Sequence, residues 1–106
     1  MKTEFKNKII NGDSLQELKK IPHETFDLIF ADPPYNLQLK NELIRPDRTR
    51  VSAVNDKWDK FENFKKYDDF TYAWLSECKR ILKKNGSIWI IGSYHNIFRV
   101  GTAIQN

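Results

Sequence analysis

A chain of 106 residues, with 40% apolar and 13% aromatic side chains, has enough material for one small domain with its own core and is too apolar to be disordered by composition. Its single cysteine excludes an internal disulfide and a cysteine-based structural zinc site, and His23 and His95 lie in unrelated segments, so no metal is expected. No apolar run approaches the roughly 20 residues of a membrane span, and Lys2, Glu4, Lys6 and Lys8 interrupt any signal-peptide core, so a cytoplasmic protein is expected. The net charge of +4 is compatible with nucleic acid without requiring it.

Residues 5–11, centred on Ile9 and Ile10, form the first strand candidate. Gly12-Asp13 follows, and Ser14-Leu15-Gln16-Glu17 then fits a capping box. Leu15, Leu18 and Ile21 make one apolar face of a short helix that Pro22 ends. The run Phe26-Asp27-Leu28-Ile29-Phe30-Ala31 reads as a buried parallel strand. Residues 37–64 are polar and aperiodic and carry Lys40, Arg45, Arg48, Arg50, Lys57 and Lys60. An irregular loop of that length in a small domain is either functional or a solvated insertion.

The spacing predicts a helix over about 67–84, with Asp68 and Asp69 at its positive end and Arg80, Lys83 and Lys84 at its negative end. Phe70, Trp74, Cys78 and Ile81, with Ala73 and Leu82, form its core-facing stripe, and Asn85-Gly86 is expected to close it. Residues 86–93, including Ile88-Trp89-Ile90-Ile91, are the third strand, and another helix starts near Asn96. This alternation of strands and helices predicts an α/β fold with parallel strands and crossover helices.

In such a fold, ligands bind at the carboxyl ends of the strands. Asp32-Pro33-Pro34-Tyr35 stands at one of those ends, directly after Ala31. An ionised Asp32 accepts hydrogen bonds and can take one from an exocyclic amino group. Pro33 and Pro34 lock φ and have no N–H, so the turn is stiff and its carbonyls stay free to accept. Tyr35 offers a ring on which a base can stack. The plainer alternative is a strand end, a Pro-Pro turn and a packed tyrosine. Asp13 is similarly double: a helix N-cap, or a carboxylate pointing into the same crevice. His95 invites a general-base reading, but a structural or DNA-facing role is favoured.

The tetrapeptide resembles motif IV of the amino-methyltransferases, with Asp in first place as in the adenine-N6 enzymes. Asn11-Gly12-Asp13, Leu43-Ile44-Arg45-Pro46-Asp47, Trp58-Asp59-Lys60-Phe61 and the stretch from Gly92 to Gly101 extend the resemblance over nearly the whole chain. Together they look like the cell-cycle-regulated DNA adenine methyltransferases of the β class, which resemble restriction-modification methyltransferases of GANTC specificity. The resemblance implies a partial Rossmann-like methyltransferase fold and S-adenosyl-L-methionine as methyl donor. It makes Asp32, Pro33, Pro34 and Tyr35 the catalytic turn, and Asp13 and Asp32 donor-binding residues. Double-stranded DNA is the implied substrate, with Arg45, Arg48, Arg50 and Lys57 facing it. A homodimer of the full-length protein is left open.

These enzymes are circularly permuted, with a Phe-x-Gly-x-Gly donor loop near the C-terminus, and no such loop occurs in these 106 residues. Residues 1–106 are therefore expected to be the N-terminal catalytic part of a methyltransferase domain, active in the full-length protein and inactive alone. The sheet should have a gap beside its first strand. Two other readings remain open: a cytosine-N4 methyltransferase, and a non-catalytic DNA-binding remnant.

Overall fold

Two apolar runs, each able to bury one row of side chains, find each other in parallel. The computed structural model describes residues 5–35 and 63–106, and the backbone alone at 43–44 and 50–51. In chain order the elements are α1 (Ser14–Lys19), β1 (Phe26–Ala31), β2 (Leu43–Ile44), β3 (Arg50–Val51), α2 (Phe64–Ile81), β4 (Leu82–Ile90) and α3 (Ile97–Gln105). β1 pairs with β4 in parallel, Ile29 opposite Ile88, Phe30 opposite Trp89 and Ala31 opposite Ile90. Parallel neighbours need a crossover connection, and α2 lies within it. The expected α/β class thus holds as two parallel strands with helices.

α2 begins one turn earlier than its charge pattern suggests. Asn63 caps it, its Oδ1 accepting the Lys66 N–H at 2.8 Å. Tyr67, Thr71, Trp74, Cys78 and Ile81 are its buried residues, a spacing of three and four that keeps them on one face. Phe70, expected in that stripe, is only half-buried.

The helix also stops three residues before Lys84. Its Arg80 and Ile81 carbonyls accept the Glu24 and Thr25 N–H groups at 2.9 and 2.7 Å. With those acceptors taken by the segment entering β1, the chain turns straight into β4, and Asn85-Gly86 lies inside that strand rather than closing the helix. Arg80 holds α1 as well. Its Nη1 and Nη2 donate to the Ile21 and Leu18 carbonyls at 2.6 and 2.9 Å, fastening the end of α1 to α2. α3 packs its buried Val100 and Ala103 inward, and Arg99 bonds Asp68 of α2 at 2.7 Å.

Two further expectations are corrected. Residues 5–11 form no strand, and Ile9 is 100% exposed. A strand exists through its ladder, and among the described residues nothing pairs with this segment. The second correction concerns 37–64, which is not wholly irregular: β2 and β3 form a short antiparallel pair, Leu43 opposite Val51 and Ile44 opposite Arg50.

Candidate active site

Parallel pairing puts the carboxyl ends of β1 and β4 at the same edge. The Ile91 N–H extends the ladder by donating to the Ala31 carbonyl at 2.9 Å, so the segment from Asp32 to Tyr35 and the segment from Ile91 to His95 leave the sheet side by side. This is where open α/β sheets place their chemistry.

The turn after β1 is held at both ends. Tyr35 donates its hydroxyl to Asp32 Oδ1 at 3.0 Å. Tyr67, from the first turns of α2, donates its hydroxyl to the Pro34 carbonyl at 2.8 Å. Asp32 is exposed, whereas Pro33, Pro34 and Tyr35 are half-buried. One carboxylate oxygen of Asp32 is thus engaged locally, and a carboxylate has lone pairs to spare for an incoming donor.

Asp13, not Ser14, caps α1. Asp13 Oδ2 accepts the Gln16 N–H at 3.1 Å, and the Asp13 carbonyl takes the Glu17 N–H at 2.9 Å. The capping signature is therefore shifted one residue from the Ser14/Glu17 pair expected from the sequence. The cap occupies one oxygen of an exposed carboxylate, so capping leaves the other available.

A cleft of about 340 Å³ joins the two regions. Ser14 and Glu17 of α1, Asp32 and Pro33 after β1, and Trp74 and Cys78 of α2 all line it. Ile29 and Phe30 point to opposite faces of β1 yet both border the cleft, so it runs along the strand's unpaired edge. Its lining is mostly apolar, with Ser14, Glu17 and Asp32 as polar members. Burial, with the Glu77 charge adding to it, pushes the Cys78 thiol up to about 11, so this cysteine is a poor nucleophile near neutral pH. Asp13 and Tyr35 lie outside the cleft lining.

The segment after β4 is built around Asn96. The Asn96 Oδ1 accepts the Ser93 N–H at 2.7 Å, and the Ser93 carbonyl accepts the Asn96 and Ile97 N–H groups at 3.1 and 2.9 Å. His95 lies against the ring of Tyr94, centroids 4.1 Å apart, and its N–H donates to Ser93 Oγ at 3.2 Å. Among the described residues, no group of three or more acidic, His or Cys side chains could hold a metal ion. Arg45, Arg48 and Lys57 lie outside the described residues, and Arg50 is described only as backbone in β3. Sequence reasoning treated Tyr67 as a helix residue alone; no local pattern announces a partner 33 positions away.

A family model described as DNA methylase matches residues 26–106, from the first residue of β1 through α3. The chain belongs to the DNA methylase family. It is 53% identical over 103 residues to the type II methyltransferase M.HinfI of Haemophilus influenzae, covering 97% of this chain and 29% of that relative. It is 39% identical over 97 residues to the type II methyltransferase M2.LlaDCHI of Lactococcus lactis subsp. cremoris, covering 92% of this chain and 36% of that relative. The chain therefore spans about a third of the length of these relatives. Among the described residues, no helix of this chain is long and apolar enough to cross a membrane.

Proposed function

We propose that this chain carries the catalytic turn of a site-specific DNA methyltransferase acting on the N6 amino group of adenine in duplex DNA. The observation that carries the reading is the Asp32–Tyr35 turn, fastened at the shared carboxyl edge of two parallel strands in a member of the DNA methylase family. The type II methyltransferases it is similar to favour the restriction-modification branch of the resemblance. A Rossmann-like sheet for the complete domain belongs to the same proposal.

S-adenosylmethionine would supply an electrophilic methyl group on its sulfonium. The exposed carboxylates of Asp13 and Asp32 suit its amino-bearing end, since each has an oxygen able to accept beyond the bonds described. The target base must leave the stack to be reached. Asp32 and the Pro33 carbonyl then accept from its amino group, which turns the nitrogen lone pair toward the methyl. The Tyr35 ring, its hydroxyl bonded to Asp32, stacks on the base. Alignment does most of the work in such a displacement. The N–C bond would form as the sulfur–methyl bond breaks and a neutral thioether leaves; the amino proton becomes acidic only then and would pass to water, so no general base is needed and His95 stays outside the catalytic set. Basic residues of 37–64, Arg45, Arg48, Arg50 and Lys57 among them, supply phosphate contacts.

The matched family model spans N6 and N4 enzymes, which keeps cytosine N4 as the second reading. An acidic acceptor at Asp32 favours adenine. The test places Asp32→Ala in a full-length methyltransferase carrying this segment and analyses the nucleosides of treated duplex DNA. The expected outcome is N6-methyladenine from the parent and a loss of at least about a hundredfold in the variant. Near-normal transfer by Asp32→Ala would remove the catalytic assignment, and N4-methylcytosine without N6-methyladenine would replace the substrate.

A further inference from the structure

We propose that Tyr67 is the positioning residue of the catalytic turn: its hydroxyl sets the direction of the Pro34 carbonyl and thereby holds Tyr35 and Asp32 in their working arrangement. The inference rests on the DNA-methyltransferase reading above and assigns a role to a residue outside the turn.

A planar peptide leaves each residue two soft dihedrals, φ and ψ. Pro33 and Pro34 surrender φ to their rings. The freedom that remains at Pro34 is ψ, which fixes both where its carbonyl points and where the chain leaves toward Tyr35. Tyr67 donates to that carbonyl at 2.8 Å, so one hydrogen bond fixes that torsion, while ψ of Pro33 is already narrowed by the proline that follows it. Tyr35 then returns its own hydroxyl to Asp32 Oδ1 at 3.0 Å, closing the turn on the carboxylate.

The tether is firm at its other end. Tyr67 is 1% exposed, and its N–H bonds the Asn63 carbonyl at 3.2 Å within the capped start of α2. Thr71 donates its hydroxyl to the Tyr67 carbonyl at 2.9 Å from the next turn. A buried tyrosine ordinarily finds an acceptor for its hydroxyl. Here the acceptor is the adjustable point of the turn that presents Asp32, across 33 positions of sequence. Without the donor, the half-buried Pro34 carbonyl gains by rotating toward another partner, and the ring of Tyr35 moves with it. Displacements of about an ångström cost roughly a hundredfold in an alignment-limited reaction.

Tyr67→Phe removes the hydroxyl and keeps the ring in its packing. In a full-length methyltransferase made by joining this chain to the remainder of M.HinfI, kcat per titrated active site should fall roughly ten- to a hundredfold. KM for DNA and for the methyl donor should stay within about twofold, the split that distinguishes misalignment from lost binding, while titration of active sites removes any loss of folded protein. A kcat within twofold of the parent overturns the role. Asp32→Ala is measured alongside: an active Asp32→Ala protein sinks the functional reading, while an inactive one beside a normal Tyr67→Phe sinks only the role of Tyr67. The second measurement uses the 106-residue chain itself with ring-labelled tyrosine. Tyr67→Phe should shift the Tyr35 ring resonances toward those of a free tyrosine while those of Tyr94 stay in place, and unmoved Tyr35 resonances overturn the proposal.

Discussion

At the scale of single residues, Asp13 caps α1 and is proposed to bind the methyl donor as well, two tasks that the sequence sets in competition. One carboxylate oxygen satisfies the Gln16 N–H at the start of α1, and the exposed remainder of the group is left for a ligand. The two tasks come apart by substitution. Asn caps a helix about as well as Asp, so Asp13→Asn should leave the chain's stability nearly unchanged, while Asp13→Ala should cost about 1 kcal/mol. In Asp13→Asn the cap uses the single amide oxygen and turns an NH2 toward the site, where it would face the amino group of the methyl donor. Donor affinity of the full-length protein should therefore fall in both variants. Thermal melts of the chain, with donor titration calorimetry on the full-length protein, check the pair; full donor affinity in Asp13→Asn would leave the residue as a cap alone.

The pairing of β1 with β4 contains an irregularity that one glycine permits. Phe26 stands opposite Leu82 and Leu28 opposite Ser87, so β4 takes five steps where β1 takes two. Gly86 lies in that excursion. A Cβ there would meet Leu82 Cδ1 at 2.6 Å and Cγ at 2.7 Å, with the Asp27 carbonyl oxygen at 3.0 Å. The leucine tip could swing aside, but the backbone oxygen cannot. Gly86→Ala should destabilise the chain by about 1–3 kcal/mol, read as a lower urea midpoint at constant slope. Gly101 is the control. It lies within α3, and among the described residues a methyl group added there would meet nothing within 4 Å. Gly101→Ala should therefore stabilise by roughly 0.5–1 kcal/mol. Equal effects of the two substitutions would contradict the close approach at Gly86.

At the scale of the whole molecule, one face of the β1–β4 sheet is apolar and is left open by the described residues. Leu28, Phe30 and Trp89 alternate onto it and are 59%, 67% and 66% exposed. Ile29 and Ile88 on the opposite face border clefts shared with residues of α2, and Ile88 with α3 as well. Parallel sheets ordinarily have both faces covered, and contiguous exposed apolar surface promotes association. Trp89→Lys should therefore reduce self-association and apolar-dye binding of the purified chain, measured by sedimentation and dye fluorescence. Its unfolding free energy should change by no more than about 0.5 kcal/mol, because little burial is lost. A large loss of stability would mean that Trp89 is packed rather than exposed.

Much of this was legible in the residues themselves. β1 lies over Phe26–Ala31 as its apolar run indicates, but the expected buried strand is corrected, because none of its residues is fully buried and Leu28 and Phe30 are exposed, and the Asp32–Tyr35 turn stands at its carboxyl end. Trp74, Cys78 and Ile81 face the core as their spacing requires. These features depend on periodicity, proline stereochemistry and local order, all of which are properties of neighbouring residues. Other features depended on partners distant in sequence. Ile9 and Ile10 have the composition of a strand, but a strand also needs a ladder, and none of the described residues supplies it. α2 ends at Ile81 because Glu24 and Thr25 take its last carbonyls, more than fifty positions away in the chain. Tyr67 meets Pro34 for the same reason: a hydrogen bond across 33 positions exists only once the βα crossover has brought the helix over the turn. The sequence by itself determined which groups could do chemistry, whereas the tertiary structure decided what holds them, since local propensity carries no information about who will stand opposite.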